Sequence, residues 1–328
     1  MEFGLYLNKA NAIFTRMLVR DVVGQKPLKE KLLQTIKKGR ISHAQLFLGK
    51  TGYGVLPIAL AYAQYINCSN RSEEDSCGTC PSCEKMQKLV HPDVHFAFPV
   101  STNSTIKSKP ISDNFTSSWR EMVHKEPYFS LDDWHRKIDI EKKQSIINVN
   151  ESQEIIKKLS LKPFEAEYKI LLVFRAEQMN IQASNKLLKL IEEPTDKTVI
   201  FLIAEEEEQL LKTITSRTQM VRVPQIAEED LESYLQREKA IEAGKAREIA
   251  TVSEGDIQIA FTRLENSEEE DLFFEHFKAW MRACYDANIT NIYQWVEEIS
   301  SRSYGREKQK RFLAYAIRLI RNGFVLNY

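Results

Sequence analysis

The sequence predicts an α/β domain on a mainly parallel sheet, followed by an all-helical C-terminal part. Three observations predict it. Two nearly continuous apolar runs, 168–175 and 199–204, have the composition of strands covered on both faces, as a parallel sheet between helices requires. Helical patterns alternate with strand patterns as far as Pro224, the order of crossover connections. From Ala227 onward only helical spacing remains.

The bounds agree with this class. A chain of 328 residues has room for two or three domains. Hydrophobic content of 43% and charged content of 28% are those of a soluble globular protein. The formal net charge is zero, so no global field draws the chain to nucleic acid or membrane, and only local patches could. No run of about 18 apolar residues predicts a membrane span. Residues 1–20 have no signal-peptide layout, with Asn8, Lys9, Asn11 and Arg16 among their apolar residues. They read as an N-terminal extension, with Met17 as an alternative start. Four of the five cysteines fall within 68–83, which suits a metal site in a reducing cytoplasm better than a disulfide scaffold.

Taken in order, residues 21–39 read as one helix, with Val22, Val23, Leu28, Leu32, Leu33 and Ile36 near helical spacing. Its lysines make either a solvated face or a partner surface. Residues 45–48 are the first strand. A glycine-rich turn follows, Gly49-Lys50-Thr51-Gly52-Tyr53-Gly54, and then a helix over 55–66 with Pro57 tolerated in its first turn. Strand, glycine turn and helix are the layout of a phosphate-binding P-loop, which needs Gly, four residues, Gly, Lys, and Ser or Thr. Gly49 and Gly54 keep the spacing. Val55 stands at the lysine position and Leu56 at the hydroxyl position. Neither can reach a phosphate or hold Mg²⁺. The turn is either a nucleotide site that has lost its chemistry or an ordinary glycine-rich strand-to-helix turn.

Cys68, Cys77, Cys80 and Cys83 come next, the last three as Cys-x-x-Cys-x-x-Cys. Thiolates bind Zn²⁺ tetrahedrally, and a Cys-x-x-Cys turn presents two sulfurs to one ion. An iron–sulfur cluster or four metal-free thiols are the alternatives. His91 and His95 lie close enough in sequence to be reserve ligands. Cys284, alone, reads as a small core residue.

Residues 98–143 form a polar insertion with enough apolar mass, Trp119, Tyr128, Phe129, Trp134 and Ile138, for short helices. A helix follows to Leu159, with Asn150 as its N-cap. The strand over 168–175 ends in Phe174 and Arg175, where a P-loop ATPase carries the acids that hold Mg²⁺ and orient water. A helix over 180–193 is stopped by Pro194. The strand over 199–204 leads to the acids 205–208, which read as a helix start. Residues 220–223 are a last strand. In the C-terminal part, 228–237, 240–251 and 255–265 read as three short helices, and 269–288 and 307–322 as longer amphipathic ones.

Four segments occur in a fixed order: Ser42-His43-Ala44-Gln45-Leu46-Phe47-Leu48-Gly49, the four cysteines, Asn185-Lys186-Leu187-Leu188-Lys189-Leu190-Ile191-Glu192-Glu193-Pro194, and Thr213-Ile214-Thr215-Ser216-Arg217-Thr218. As a set they resemble the clamp-loader subunits of bacterial DNA polymerase III, the delta-prime type in particular, over about 22–223. The resemblance implies an AAA+ type α/β domain over 21–224, with a zinc module at 68–83 and the insertion at 98–143. A helical lid over 225–266 and a helical collar over 267–328, short for the family, would follow. It implies structural Zn²⁺ on Cys68, Cys77, Cys80 and Cys83, a module shared by delta-prime and gamma/tau subunits. The degenerate Gly49, Gly54, Val55 and Leu56 separate the two types and imply no ATP binding here. Ser216-Arg217-Thr218 matches the family's Ser-Arg-Cys motif with Thr218 for the cysteine, which implies that Arg217 is an arginine finger acting in trans on a neighbour's ATP.

The expected function is therefore that of a non-catalytic subunit. Its partners would be gamma/tau and delta, and through them a sliding clamp and primed DNA. Two alternatives come from other classes. An active gamma/tau-like ATPase is opposed by Val55, Leu56, Phe174 and Arg175. A free-standing zinc-containing nucleic-acid-binding module is opposed by the zero net charge.

Overall fold

The computed structural model describes residues 17–141, 143–300 and 304–327, with main-chain placement only at 265–271, 307, 318 and 322–327. The expected extension 1–20 lies outside the described residues except for its last four. The chain divides into two compact units, Met1–Ala260 and Phe261–Tyr328.

The first unit is organised by five parallel strands. Gly24 at φ 60° and Gln25 at φ 61° put a left-handed break into the expected 21–39 helix, and Pro27 then starts helix α1 in its first turn (Lys26–Lys37). A separate 3-10 turn, Val19–Asp21, precedes it. Strand β1 (Ala44–Leu48) runs into the glycine turn, and α2 (Val55–Asn67) leaves it with every residue buried. Helix α3 (Pro81–Gln87) carries Cys83, the last of the four clustered cysteines. Strand β2 (Val94–Ala97) follows, an element absent from the sequence-based expectation.

The insertion contains α4 (Thr116–Lys125) and α5 (Leu131–Lys137). Helix α6 (Val149–Ser160) is capped by Asn148, whose side chain accepts from the amides of Asn150 and Glu151, so the cap lies two residues before the expected one. Then come β3 (Lys169–Phe174), α7 (Ile181–Glu192), β4 (Thr198–Ala204), the one-turn α8 (Lys212–Thr215) and β5 (Gln219–Arg222).

The strand order is β2-β3-β4-β1-β5, with every pairing parallel. β1 is thus interior, and its glycine turn opens at the carboxyl ends of β3 and β4, where ligands of open α/β sheets bind. Helices cover both faces, and the three inner strands β3, β4 and β1 are buried throughout, as continuous apolar runs require. This is the parallel α/β sheet expected from the sequence.

The insertion belongs to the core. Trp119 and Trp134 are fully buried. Trp119 stacks on Phe98 at 4.4 Å and meets Phe129 and Trp134 edge-on at 5.5 and 5.6 Å. Phe174, at the end of β3, packs against both Trp119 and Phe129 at 5.3 Å. The acid position of an ATPase strand is thereby an anchor for the insertion.

Helices α9 (Glu228–Glu238) and α10 (Ala243–Ser253) follow the sheet. Helix α11 runs without interruption over Ile257–Tyr285, so the expected break between 265 and 269 does not occur. The polar residues there, Glu, Asn and Ser among them, carry no helix breaker. In the second unit, α12 (Ile289–Ser300), not anticipated, and α13 (Arg306–Asn327) complete the chain. Phe273, Phe312 and Ala316 form its core with Trp280 and Trp295, which stack at 5.1 Å. Cys284 is exposed rather than in the core. Among the described residues, no helix is long and apolar enough to cross a membrane.

Candidate functional site

Three features gather the residues singled out above: the glycine turn, the four thiols and the segment around Arg217. The turn is made by conformation first. Gly54 sits at φ 88°, and a Cβ there would lie 3.1 Å from the Tyr128 ring. A Cβ on Gly49 would lie 2.5 Å from the Val223 carbonyl oxygen. Each glycine therefore admits a neighbour, one from the insertion and one from the segment after β5. Val55 and Leu56 are both 1% exposed. The positions of the phosphate-binding lysine and hydroxyl are thus filled by core side chains.

The polar part of the turn is engaged within the chain. The Thr51 amide donates to Glu205 Oε1 at 2.7 Å, and the Thr51 hydroxyl donates to the same oxygen. Glu205 also pairs with Arg175, whose Nε lies 3.2 Å from Glu177 Oε1. Arg175 is in the left-handed region, φ 57° and ψ 54°, an uncommon conformation for a non-glycine residue. Burial pushes the Glu205 carboxyl up, but Arg175 and Thr51 more than offset it and hold the group below the ordinary carboxylate range. For Glu177 burial prevails over the guanidinium, and its carboxyl is raised. The acids 205–208 do not start a helix as expected. Only a three-residue 3-10 turn, Glu207–Gln209, forms there, and Glu205 is drawn to Thr51 instead.

The cysteines converge. All four Sγ atoms lie within 4.8 Å of one another. Cys68 is 3.6 Å from Cys77 and 3.9 Å from Cys80, and Cys77 is 4.0 Å from Cys83. Sulfurs about 2.3 Å from a tetrahedral Zn²⁺ stand about 3.8 Å apart, so the four thiols fit that ion. The amides of Cys77 and Cys80 donate to Cys68 Sγ and Cys77 Sγ, both at 3.3 Å, which favours thiolates. His91 and His95 are not part of this group. His91 Nδ1 accepts from the Asp93 amide while Nε2 faces Ser82 Oγ, and His95 lies on β2, where burial lowers its pKa to about 4.

The thiol module also holds the chain ahead of α1. Asp75 Oδ1 accepts from the Val19 amide at 2.9 Å and Oδ2 from that of Arg20 at 3.1 Å. Gln64 Nε2 donates to the Met17 carbonyl and to Ser76 Oγ.

Arg217 lies in the turn between α8 and β5, an edge strand, with its side chain 42% exposed. Its Nε is 2.5 Å from Glu192 Oε1 at the end of α7, and Nη1 donates to the Thr213 carbonyl at 3.2 Å. The acids 205–208 are not its partners. The nearby Arg222 is the one that pairs with Glu207.

Comparisons with known proteins add the following. The family model described as DNA polymerase III, delta subunit, matches residues 24–227. The DNA polymerase III subunit delta′ of Bacillus subtilis (strain 168) is 31% identical over 188 residues, 57% of this chain and 44% of that protein. Subunit delta′ of Escherichia coli (strain K12) is 26% identical over 213 residues, 65% of this chain and 52% of that protein. Subunit tau of Bacillus subtilis (strain 168) is 22% identical over 260 residues, 78% of this chain and 38% of that protein. The chain spans about half the length of the curated relatives it matches. Among solved structures, a gamma subunit-related protein of DNA polymerase III from Thermotoga maritima aligns over 89% of this chain and 84% of its own, at 16% identity and a TM-score of 0.42.

Proposed function

Because the chain belongs to the DNA polymerase III delta subunit family, we propose that it is a delta-prime type clamp-loader subunit that binds no nucleotide itself. The observation that carries the choice of type is the filled glycine turn. Val55 and Leu56 face the core, Glu205 sits on the Thr51 amide, and Arg175 stands where Mg²⁺-holding acids belong. The relatives include gamma and tau subunits as well as delta′, so similarity favours neither type. The chemistry of the turn favours delta-prime.

In this reading Arg217 acts in trans. A guanidinium stays charged and can bind two phosphate oxygens side by side, and here it is half-exposed at an edge of the sheet. Its place at the edge supports contact with a neighbouring subunit's γ-phosphate. Zn²⁺ on Cys68, Cys77, Cys80 and Cys83 would be structural, because four protein ligands leave no open position for water. We assign 225–266 as the lid and 267–328 as the collar. The exposed Ile289, Tyr293 and Val296 on α12, and Leu313, Ile317 and Ile320 on α13, recur at helical spacing and suit burial against partner helices. Gamma/tau and delta would be those partners, with the sliding clamp and primed DNA reached through the assembly.

Co-expression with gamma/tau and delta tests this. The chain is expected to co-purify with both as a stable complex that supports clamp loading. A chain that elutes alone at micromolar concentration, with a loader that is complete without it, would refute the assignment.

A further inference from the structure

Missing catalytic groups explain why a site fails to turn over a nucleotide. They do not by themselves keep a phosphate off a turn whose amides remain. Turn amides at a helix N-terminus attract anions whatever the neighbouring side chains are. In this chain one carboxylate already takes an amide of that turn, and a second packs against it.

Glu205 arrives from the end of β4. One of its oxygens accepts both the amide and the hydroxyl of Thr51, and the other pairs with Arg175. Asp256 arrives from the turn between α10 and α11 and is 8% exposed. Its Oδ1 lies 1.8 Å from where a Cβ on Gly52 would stand, so only glycine admits it at this distance. The Gln258 amide donates to the same oxygen at 2.9 Å. Arg175 supplies a cation at the carboxyl end of β3. An anion on the turn and a cation beside the strand end are therefore both supplied by the chain's own side chains. Tyr128 covers Gly54, and its hydroxyl accepts from the Val23 amide at 3.1 Å.

We propose that Glu205 is the resident anion of the 49–56 turn, with Asp256 packed over Gly52 beside it, closing the phosphate site by occupancy and not only by loss of its lysine, hydroxyl and acids. The proposal rests on the reading of this turn as one that takes no nucleotide. A consequence follows for reversion. With the lysine and hydroxyl restored at 55 and 56, Glu205 would still hold the Thr51 amide, so those two groups alone would not open the site.

The test is Mg·ATP calorimetry on the full chain carrying V55K/L56T, and on the same chain with E205A/D256A added, each checked for native circular dichroism. The first is expected to bind more weakly than about 1 mM, and the second at least about tenfold more tightly than the first. Equal affinities, or micromolar binding by V55K/L56T alone, would overturn the proposal. Binding by the unaltered chain would instead overturn the reading it rests on. Should the reverted chains not fold, amide exchange in the single variant E205A decides. The Thr51 amide is expected to exchange at least about tenfold faster while β1 amides keep their protection. An unchanged Thr51 rate would refute the role of Glu205.

Discussion

Arg217→Ala, introduced into a loader reconstituted with gamma/tau and delta, is expected to lower clamp- and DNA-stimulated ATP hydrolysis several-fold while the complex stays assembled. Arginine fingers supply about 10³–10⁵ in rate in GTPases. A ring with several ATP sites would lose less, because sites not served by Arg217 still fire. The substitution should leave the fold intact. The side chain is 42% exposed, and its ion pair with Glu192 is a half-exposed one, a kind that contributes little to stability. Steady-state hydrolysis with and without clamp and primed DNA is the readout, with gel filtration to verify assembly. Unchanged hydrolysis and clamp loading in an intact complex would refute the finger role.

The second large effect concerns the thiols. Purified chain is expected to hold one Zn²⁺ per molecule, and its removal by a strong chelator, or Cys80→Ser, should cost a substantial part of the stability of the first unit. Structural Zn²⁺ binding contributes on the order of 10–16 kcal/mol in small zinc domains. The share felt here is smaller, because a buried aromatic and aliphatic core also supports this unit. The loss should be directional. The hydrogen bonds from Val19 and Arg20 to Asp75 join the module to the segment ahead of α1, so amides at 19–20 should lose exchange protection before those of β1 and β4. Thermal denaturation and metal analysis would decide. Iron with visible absorbance, or full stability without metal, would contradict the assignment.

Much of this was legible from local pattern, and what escaped was set by distance along the chain. The runs at 168–175 and 199–204 announced β3 and β4, because a strand covered on both faces needs almost continuous apolar residues. The four cysteines announced their own convergence by spacing. β2 did not, since four residues containing His95 offer no clear period, and its histidine was read as a reserve ligand. The insertion looked polar because its two buried tryptophans sit among charged residues, and their partners Phe98 and Phe174 lie outside its helices. By local pattern Glu205 is a helix-start acid, because nothing near it in sequence marks its true partner. Thr51 is 154 residues away, and only the parallel pairing of β1 with β4 brings the two strand ends together. The continuity of α11 was missed for a plainer reason, as a change of composition across 265–271 resembles a boundary without being a helix breaker.

A delta-prime type subunit is expected to take no nucleotide of its own. Titration of the isolated, zinc-loaded chain with Mg·ATP in a calorimeter tests this most directly. Losing the phosphate-binding lysine removes a charge-assisted bond of roughly 1.5–3 kcal/mol, and the Mg²⁺ ligands are lost with it. No saturable heat is expected up to about 1 mM nucleotide. A one-site isotherm with micromolar affinity would contradict it.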